Sequence, residues 1–437
     1  MKILVVGTGG REHALVWALL RSASRPEVFA APGNPGIAEL VPCVPVDPTD
    51  PDAIAQAADD LAIDVVVIGP EVPLVTGAAD AVRARGRLAF GPGVGGARLE
   101  GSKAWMKHVL EQAGVPTARH ATFGPGDDAA ALEFLGAFPA PYVVKTDGLA
   151  AGKGVVVTES RADAADAVRA YLSGAAFGDA GRTLVIEEGL SGPELSLLVV
   201  CNGDPDGARP LAPAQDFKRI ADGDAGPNTG GMGAYSPVPI VADATVDAVM
   251  DRAVRPTLRW LLQEGIDYRG VLYAGMMLTA DGPKVIEYNV RFGDPECQVV
   301  LPRLRSDLAG LVHAAASGGE LDVAFSDEAC VTVVLASEGY PASPRTGDRI
   351  DGLAAAADVN SVTIFHAGTA RAENGELRTA GGRVLDVTAT GADVAEARAR
   401  AYEAVSRISW PGMQYRTDIA AGIAAASEPA SGSGPRQ

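Results

Sequence analysis

The sequence predicts a multidomain protein of α/β and α+β architecture, with a parallel sheet near its N-terminus and a small α+β domain near its C-terminus. Three observations support this. The chain has 437 residues, of which 47% are hydrophobic, and at about 150 residues per domain this length suggests roughly three domains. Strand-like and helix-like segments alternate through residues 1–100. Residues 330–420 instead combine apolar strands with one alanine-rich helix.

The first hundred residues are expected to fold as a β-turn-α-β pattern. The expected strands and helices, in chain order, are a strand at 2–7, a helix at 12–20, a strand at 27–33, a helix at 51–62 and a strand at 64–71. In a parallel sheet, ligands bind where the carboxyl ends of the strands meet. We therefore expect a ligand site at the loops that follow these strands, which are 7–12, 31–36 and 69–73.

The first of these loops, GTGGRE, resembles a dinucleotide-binding turn but lacks two of its requirements. Glu12 stands where that motif needs its third glycine, and the second strand closes on Ala30 and Ala31 rather than on an acidic residue. These differences disfavour nicotinamide binding. A glycine turn at a helix N-terminus still suits an anion, and a plain strand-to-helix turn is the alternative.

A second glycine-rich segment, GLAAGKG at 148–154, joins two predicted strands. It differs from a Walker A loop because Asp147 occupies the position of the first glycine and Gly154 replaces the Ser or Thr after Lys153. Such a loop can fold over phosphates as a flap. Lys145 ends the preceding strand and is expected to point to the same place, since an unpaired lysine is costly beside an apolar core. A hairpin tip with an exposed lysine is the alternative.

Lysine is rare in this chain, at seven residues against thirty arginines. Four of the lysines lie in or beside glycine-rich or polar loops, namely Lys103, Lys145, Lys153 and Lys218. A compact ammonium on a flexible stem suits a mobile phosphate. We therefore interpret these four as candidate phosphate ligands.

The segment KVIEYNVRFGDPE at 284–296 carries the clearest chemical pattern. Because strand side chains alternate between faces, one face is expected to present Glu287, Asn289 and Arg291, and the other to bury Ile286, Tyr288 and Val290. Carboxylate and amide oxygens are ligands that magnesium prefers, with substrate phosphates completing its shell. The alternative is a half-exposed strand with a salt bridge.

Two further polar segments are candidates for a site. Glu187, Glu188 and Glu194 lie near the end of a predicted strand, where they suit a nucleoside or form a solvated acidic loop. The loop at 214–237 combines Asp216, Lys218 and Arg219 with many glycines. A long polar loop of this kind is usually functional or disordered.

Composition and spacing exclude several classes of protein. The net charge of −18 argues against coating nucleic acid or a polybasic membrane anchor, and no apolar run suggests a membrane-spanning helix. The N-terminus lacks the apolar core of a signal peptide, and the four separated cysteines fit a reducing compartment, so we expect a cytoplasmic protein. The five histidines show no metal-site or triad spacing, and no nucleophile motif occurs.

Taken together, the motifs closely resemble those of the glycinamide ribonucleotide synthetase family of ATP-grasp ligases, over residues 1 to about 420. The segments that carry the resemblance are VVGTGGREHAL, APGNPG, GPEVPLV, LEGSKAWMK, VVKTDGLAAGKGV, VIEEGLSGPE, QDFKR, GPNTGGMGAYSP and VIEYNVRFGDPE. The resemblance implies a pre-ATP-grasp N-terminal domain followed by a central ATP-grasp fold. The implied boundaries are a substrate domain at 1–104, a lid at 105–190 with its flap at 148–154, a core at 191–327, a C-terminal domain at 328–425 and a disordered tail at 426–437.

The resemblance also implies roles for individual residues. The implied catalytic residues are Lys145, Arg291 and Asp216. The implied ATP ligands are Lys103, Lys145, Gly152, Lys153, Gly154, Glu187, Glu188, Leu190 and Glu194. Glycine and 5-phosphoribosylamine are implied to contact Gly9, Gly10, Arg11, Glu12, Glu71, Asp216, Lys218, Asn228, Thr229, Gly230 and Arg291. Glu287 and Asn289 match the family's Mg²⁺ or Mn²⁺ ligands.

The implied reaction joins glycine to 5-phosphoribosylamine through glycyl phosphate, with ATP as co-substrate, and involves neither nucleic acid nor membrane. A monomer is expected. Three alternatives remain: another ATP-grasp ligase or carboxylase of purine metabolism, a non-catalytic nucleotide-binding module, and the disfavoured nicotinamide oxidoreductase. The sequence departs from the family at Phe217, where many relatives have His, and at Cys297, where Thr is common. The segment GVLYAGMMLT also lacks the acidic metal ligand found in many other ATP-grasp enzymes.

Overall fold

A computed structural model describes residues 1–149, 154–175 and 181–427 of the chain. Its N-terminal domain is a four-stranded sheet of order β2–β1–β3–β4 in which all neighbours are parallel, as the alternating pattern predicts. The elements are β1 (Lys2–Gly7), α1 (Gly10–Leu19), β2 (Glu27–Pro32), α2 (Pro35–Ala38), α3 (Pro51–Asp60), β3 (Val65–Ile68), α4 (Glu71–Thr76), α5 (Ala78–Ala84), β4 (Leu88–Phe90) and α6 (Val94–Gly101). The residues of β3 are all buried, which explains their unbroken apolar sequence.

The loop at 31–36 does not line the ligand cleft as expected. The side-chain amide of Asn34 donates to the carbonyl oxygens of Thr8 and His366, at 2.8 and 2.7 Å. His366 belongs to the C-terminal domain, so this loop joins two domains. The loops at 7–12 and 69–73 do reach the cleft, through Arg11 and Glu71.

The next unit is a four-stranded antiparallel sheet of order β5–β8–β6–β7, covered by two helices. Its elements are α7 (Lys103–Gln112), β5 (His120–Phe123), α8 (Asp128–Leu135), β6 (Tyr142–Thr146), β7 (Val155–Thr158), α9 (Arg161–Leu172) and β8 (Leu184–Glu188). The predicted helix start at Ser102 is confirmed, because the Ser102 hydroxyl accepts a hydrogen bond from the backbone N–H of Trp105. The flap residues Gly152 and Lys153 lie outside the described residues.

The central sheet is antiparallel, with order β10–β9–β15–β16. The elements from residue 194 to 317 are β9 (Glu194–Asn202), β10 (Arg209–Pro210), β11 (Gln215–Asp216), β12 (Arg219–Ala221), β13 (Ala225–Asn228), β14 (Gly233–Ser236), α10 (Asp243–Val249), a π-helical turn (Met250–Val254), α11 (Arg255–Gln263), β15 (Arg269–Thr279), β16 (Gly282–Asn289), α12 (Cys297–Val300), a 3₁₀ turn (Leu301–Arg303) and α13 (Leu308–Ser317). The predicted helix near 243–264 is confirmed, with the π-helical turn in its middle.

The C-terminal domain is a five-stranded sheet of order β11–β14–β17–β21–β18, onto which α15 packs. Its remaining elements are β17 (Ala329–Ala336), α14 (Leu353–Ala357), β18 (Val362–His366), β19 (Thr369–Arg371), β20 (Leu377–Thr379), β21 (Arg383–Gly391), α15 (Val394–Val405) and α16 (Ala421–Ser427). The segment at 214–237 is therefore not the plain loop that its polarity suggests, because β11 and β14 extend this sheet. Residues 428–437, most of the tail expected to be disordered, lie outside the described residues.

None of the helices in the described ranges is long and apolar enough to cross a membrane.

Candidate active site

A cleft of about 1140 Å³ is lined by residues from the N-terminal, central and C-terminal parts of the chain. Most of the predicted site residues meet there, although they are widely separated in sequence. They are Arg11, Glu71, Lys103, Lys145, Gly154, Glu187, Glu188, Leu190, Glu194, Asp216, Lys218, Asn228, Thr229, Gly230, Glu287, Asn289 and Arg291. Gly9, Gly10 and Glu12 do not line the cleft; Gly10 and Glu12 are buried, and Gly9 is half-buried.

A buried ion-pair cluster fixes one wall of the cleft. The carboxylate of Glu187 lies 3.0 Å from the Lys145 ammonium and 3.1 Å from that of Lys107, and these three side chains are at most 5% exposed. Burial raises the pKa of Glu187, but the two ammonium groups outweigh it and hold the pKa below its usual value. Burial lowers the pKa of Lys107 to about 8 against the attraction of Glu187. The side chain of Glu187 therefore orients Lys145, whose ammonium also donates to the Ile286 carbonyl at 3.1 Å.

Lys103 differs from Lys145 because no carboxylate among the described residues pairs with it. Its ammonium donates to the Gly148 carbonyl at 2.9 Å, at the start of the predicted flap. Ser102 and Asp147 join the two segments, since the Ser102 hydroxyl donates to the Asp147 carboxylate at 3.1 Å. Lys103 is one helical turn before Lys107 on α7, so the same helix supplies one cation to the cleft and one to the buried cluster.

A second cluster surrounds Lys218. Its ammonium lies 2.7 Å from Glu194 and 3.8 Å from Glu287. Burial raises the pKa of the neighbouring Asp216 to about 8; Lys218 opposes that shift, and Glu296 adds to it. Carboxylates outnumber cations here, so this part of the cleft is suited to a positively charged group or a metal ion.

The oxygens of Glu287 and Asn289 fit a divalent metal whose shell is completed by phosphate. Both residues end β16 and line the cleft, offering one carboxylate and one amide oxygen. In the described part of the chain, no group of three or more His, Cys, Asp or Glu side chains could hold a metal by itself. Magnesium commonly takes one or two protein oxygens together with substrate phosphates.

The predicted alternation along this strand is wrong at one residue. Tyr288 and Val290 are buried as expected, but Ile286 is half-buried and lines the cleft. The pairing with β15 shifts between Gly275 and Met276, whose partners are Glu287 and Val285. Ile286 is thus the extra residue of a β-bulge, which turns its side chain toward the cleft.

Glu12 lies beneath the first glycine loop. Its carboxylate accepts a hydrogen bond from the Gly9 N–H at 2.6 Å and pairs with the Arg11 guanidinium at 2.5 Å. A Cβ on Gly69 would lie 2.1 Å from the Glu12 carboxylate, and one on Gly7 would lie 2.6 Å from its Cγ. These glycines leave room for Glu12, which in turn fixes Arg11 at the cleft.

Arg291 is held between two acids from the N-terminal side. It pairs with Glu100 at 2.8 Å and with Glu71 at 3.3 Å. Burial lowers the pKa of Arg291, but these carboxylates outweigh it and raise the pKa above its usual value, so the guanidinium remains charged. Glu100 is a site residue that the sequence did not reveal, although it stands directly before the GSK segment.

Glu296 and Tyr273 are further cleft residues that the sequence did not identify. The Glu296 carboxylate accepts hydrogen bonds from the hydroxyls of Tyr273 and Ser196, at 3.0 and 3.1 Å. The GDPE segment predicts a polar loop. It does not predict the hydrogen bond from Tyr273 to Glu296, because Tyr273 lies within an apolar strand. Lys107 was missed for a similar reason: its spacing from Lys103 is visible, but its contact with Glu187 is not.

The C-terminal domain closes the cleft through Tyr340 and Arg383. The Tyr340 hydroxyl accepts a hydrogen bond from the Gly230 N–H at 3.0 Å. Arg383 donates to the Gly230 carbonyl at 2.6 Å and pairs with Asp294 at 3.2 Å. The C-terminal domain thus binds both the backbone N–H and the carbonyl of Gly230. This residue lies in the predicted substrate-binding segment 228–230, which we call the substrate loop.

The sequence also matches known protein families over most of its length. The sequence matches three family profiles, described as the N domain, the ATP-grasp (A) domain and the C domain of phosphoribosylglycinamide synthetase, over residues 1–100, 101–297 and 330–422. A phosphoribosylamine–glycine ligase of Streptomyces coelicolor is 53% identical over 432 residues, covering 98% of this chain and 100% of the relative. One of Leifsonia xyli is 51% identical, covering 96% and 100%.

Solved structures show the same architecture. The crystal structure of a phosphoribosylamine–glycine ligase from Thermotoga maritima aligns with a TM-score of 0.81 at 34% identity, covering 96% of this chain and 100% of that one. A biotin carboxylase domain from Hydrogenobacter thermophilus aligns with a TM-score of 0.70 at 16% identity, covering 95% and 91%. At 16% identity, the likeness to the biotin carboxylase domain shows a shared fold and nothing more.

Proposed function

The chain belongs to the phosphoribosylglycinamide synthetase family, and we infer from this membership that it joins glycine to 5-phosphoribosylamine with the conversion of ATP to ADP and phosphate. The chain covers the full length of relatives named for this activity, at about half identity. The observation that carries the assignment to the cleft is the convergence there of Lys103, Lys145, Glu287 and Arg291 from separate elements.

We propose that ATP lies against the antiparallel sheet formed by β5, β8, β6 and β7. Lys103 and Lys145 would contact its phosphates, because both ammonium groups line the cleft and Glu187 holds Lys145 in place. Leu190 and Glu188 lie at the end of β8, where backbone groups can bind the adenine. Glu194 would accept the ribose hydroxyls, with Lys218 fixing its carboxylate.

Glu287 and Asn289 are the proposed ligands of Mg²⁺ or Mn²⁺. When bound, such an ion neutralises charge that develops on the transferring phosphoryl group. The lysine and arginine side chains of the cleft also reduce the repulsion between the glycine carboxylate and the triphosphate. Arg291, charged and held by Glu71 and Glu100, is placed to bind an oxyanion of the phosphoryl group or of glycyl phosphate.

The reaction proceeds in two steps. The glycine carboxylate attacks the γ-phosphorus and releases ADP, and the ribosylamine nitrogen then attacks the acyl carbon and expels phosphate. No protein nucleophile is required, since positioning and charge stabilisation supply the catalysis. Asp216 and the nearby Glu296 would bind the glycine ammonium, whose positive charge would lower the raised pKa of Asp216 and favour its carboxylate form.

The direct test is ADP release with magnesium, ATP and glycine, with and without phosphoribosylamine formed in the cuvette from ribose 5-phosphate and ammonia. ADP that requires both co-substrates supports the proposal. ADP that appears with a different acceptor would reassign the substrate to that of another ATP-grasp ligase or carboxylase. ATP binding without ADP under any acceptor would indicate a nucleotide-binding module.

We also propose that the chain acts as a monomer in the cytoplasm. Most of the site residues implied by the resemblance meet in one cleft of one chain, which supports a catalytic unit that needs no residue from a second copy. All four cysteines are free thiols, and three of them are buried, as in proteins of reducing compartments. Analytical ultracentrifugation gives the oligomeric state, and a dimer mass at micromolar concentration would contradict the first part.

A further inference from the structure

The basic side chains of the cleft fall into two classes. Most of them have a carboxylate within the 4.0 Å of an ion pair. These pairs are Arg11 with Glu12, Lys145 with Glu187, Lys218 with Glu194, Arg291 with Glu100, and Arg383 with Asp294. Among the described residues that line the cleft, only Lys103 and Arg219 lack such a partner. The proposed reaction has two substrates that carry phosphate, and Lys103 is already placed at the ATP end.

Arg219 projects from a small hairpin together with a second polar donor. The hairpin consists of β12 and β13, and Arg219 lies directly opposite Asn228 in its antiparallel register. Residues opposite each other share one face of a sheet, and both of these line the cleft. Arg219 donates one N–H to the Gly226 carbonyl at 2.6 Å, which leaves most of its five donors available.

The C-terminal domain holds this hairpin in position from beneath. The guanidinium of Arg416, only 1% exposed, bonds the Arg219 carbonyl at 3.3 Å and the Asp224 carboxylate at 2.7 Å. Asp222 is bound by the backbone N–H of Thr417 at 2.8 Å. The two acids nearest to Arg219 along the hairpin are thus engaged elsewhere, and they leave the Arg219 guanidinium available for an external anion.

We propose that Arg219, assisted by Asn228, binds the 5-phosphate of the phosphoribosylamine. The planar guanidinium presents parallel N–H donors that match two oxygens of a phosphate. The hairpin leads directly into Thr229 and Gly230, and Tyr340 and Arg383 fix Gly230, so a phosphate bound at Arg219 would be anchored at a fixed point of the substrate loop. This assignment rests on the proposed function and adds a recognition site to it.

The test compares two acceptors that differ only in the phosphate. Phosphoribosylamine is generated from ribose 5-phosphate and ammonia, and ribosylamine from ribose and ammonia. For Arg219→Met, we expect kcat/KM for phosphoribosylamine to fall about ten- to a hundred-fold, as for loss of a charged hydrogen bond, with little change for ribosylamine. Asn228→Ala should give a smaller loss in the same direction.

Three controls separate recognition from other effects. Glycine-dependent ADP release with hydroxylamine, which traps glycyl phosphate, should be unchanged in Arg219→Met, since that step does not use the acceptor. Arg259→Met removes an exposed arginine paired only with Asp206 and should leave all constants unchanged. Arg219→Lys keeps the charge without the fork, so we expect an intermediate loss, and this variant supplies the measurement should the methionine variant fold poorly.

The two proposals fail in different ways. A wild-type protein that shows no glycine-dependent ADP release contradicts the proposed function. A wild-type protein that is active, with variants at Arg219 that keep the full preference for phosphoribosylamine over ribosylamine, overturns the phosphate assignment alone.

Discussion

Gln298 and Asp386 form an incomplete pair at the junction of the central and C-terminal domains. The Gln298 amide donates to Asp386 Oδ2 at 3.0 Å, while Gln298 Oε1 and Asp386 Oδ1 are both buried without a hydrogen-bond partner among the described residues. A proton on Asp386 would remove the buried charge and turn one of its oxygens into a donor. Burial, together with the charge of Asp294, raises the pKa of Asp386 to about 7, against the opposing effect of Arg383.

Asp386→Asn is therefore expected to stabilise the protein in neutral and alkaline solution. Because the pKa in the folded state is raised, protonated Asp386 makes its full contribution to the stability of the wild type below about pH 4. This contribution is lost as the pH rises toward 7, and it does not return at higher pH. The asparagine is uncharged at every pH, and its amide oxygen can still accept the hydrogen bond from the Gln298 amide. The N-terminus of α1 lies beside Asp386 at Gly10 and favours its charged form, but by only about 1 kcal/mol.

The measurement is the Tm of both proteins at pH 5 and pH 8. We expect the advantage of Asp386→Asn to widen between these values, by a few degrees for a stability difference on the order of a few kcal/mol. Asp386→Ala removes the hydrogen bond from the Gln298 amide and should lower the Tm at both pH values. An equal gap between Asp386→Asn and the wild type at pH 5 and pH 8 would show that Asp386 is ionised throughout.

Lys103→Met and Lys145→Met are expected to behave differently, although both remove a proposed phosphate ligand. Lys103 has no carboxylate partner in the described part of the chain, so its replacement should raise KM for ATP about ten- to a hundred-fold and leave the Tm unchanged. Lys145 neutralises the buried Glu187, so its replacement should lower the Tm as well, since breaking a buried pair costs about 3–5 kcal/mol. Equal Tm values for the two variants would contradict the distinction.

Lys107→Met should impair ATP binding although Lys107 does not line the cleft. Without Lys107, Lys145 is the remaining ion-pair partner of Glu187 among the described residues, and its ammonium would be drawn away from the proposed phosphate site. We expect KM for ATP to rise several-fold with KM for glycine unchanged, and Lys107→Arg to recover part of the loss. Lys2→Met, on the far side of the N-terminal domain, serves as the control. A variant that loses only kcat, with both KM values intact, would argue against positioning through Glu187.

The sequence predicts those parts of the site in which neighbouring residues act together. Glu287 and Asn289 are two apart on one strand, so their shared face follows from strand geometry alone. The cluster of Lys107 with Glu187 could not be inferred in this way, because β8 brings together residues far apart in the chain. The bulge at Ile286 also escapes the pattern, since an inserted residue leaves no trace in apolar alternation.

The role of the C-terminal domain was likewise not visible in the sequence. Tyr340 and Arg383 reach the substrate loop because β14 joins the sheet of β17 and β21, and the polar segment that contains β14 has too few apolar residues to predict a strand. Short strands of glycine and polar residues are specified by their neighbours in the sheet rather than by their own propensity.

Gly69→Ala is expected to impair substrate binding through Glu12 while the backbone remains unstrained. Gly69 does not have a left-handed φ, so only space matters, and the added methyl would meet the Glu12 carboxylate at 2.1 Å. Glu12 must then move, which breaks its bonds to the Gly9 N–H and to Arg11 and releases Arg11 from its position at the cleft. We expect KM for glycine or phosphoribosylamine to rise about ten-fold, the loss of roughly one charged hydrogen bond, while KM for ATP is unchanged.

Gly422→Ala is the matched control, because a Cβ there meets nothing within 4 Å. Unchanged constants in Gly69→Ala would mean that Glu12 does not affect substrate binding through Arg11, whereas a rise in KM for ATP alone would place the loop at 7–12 at the nucleotide instead.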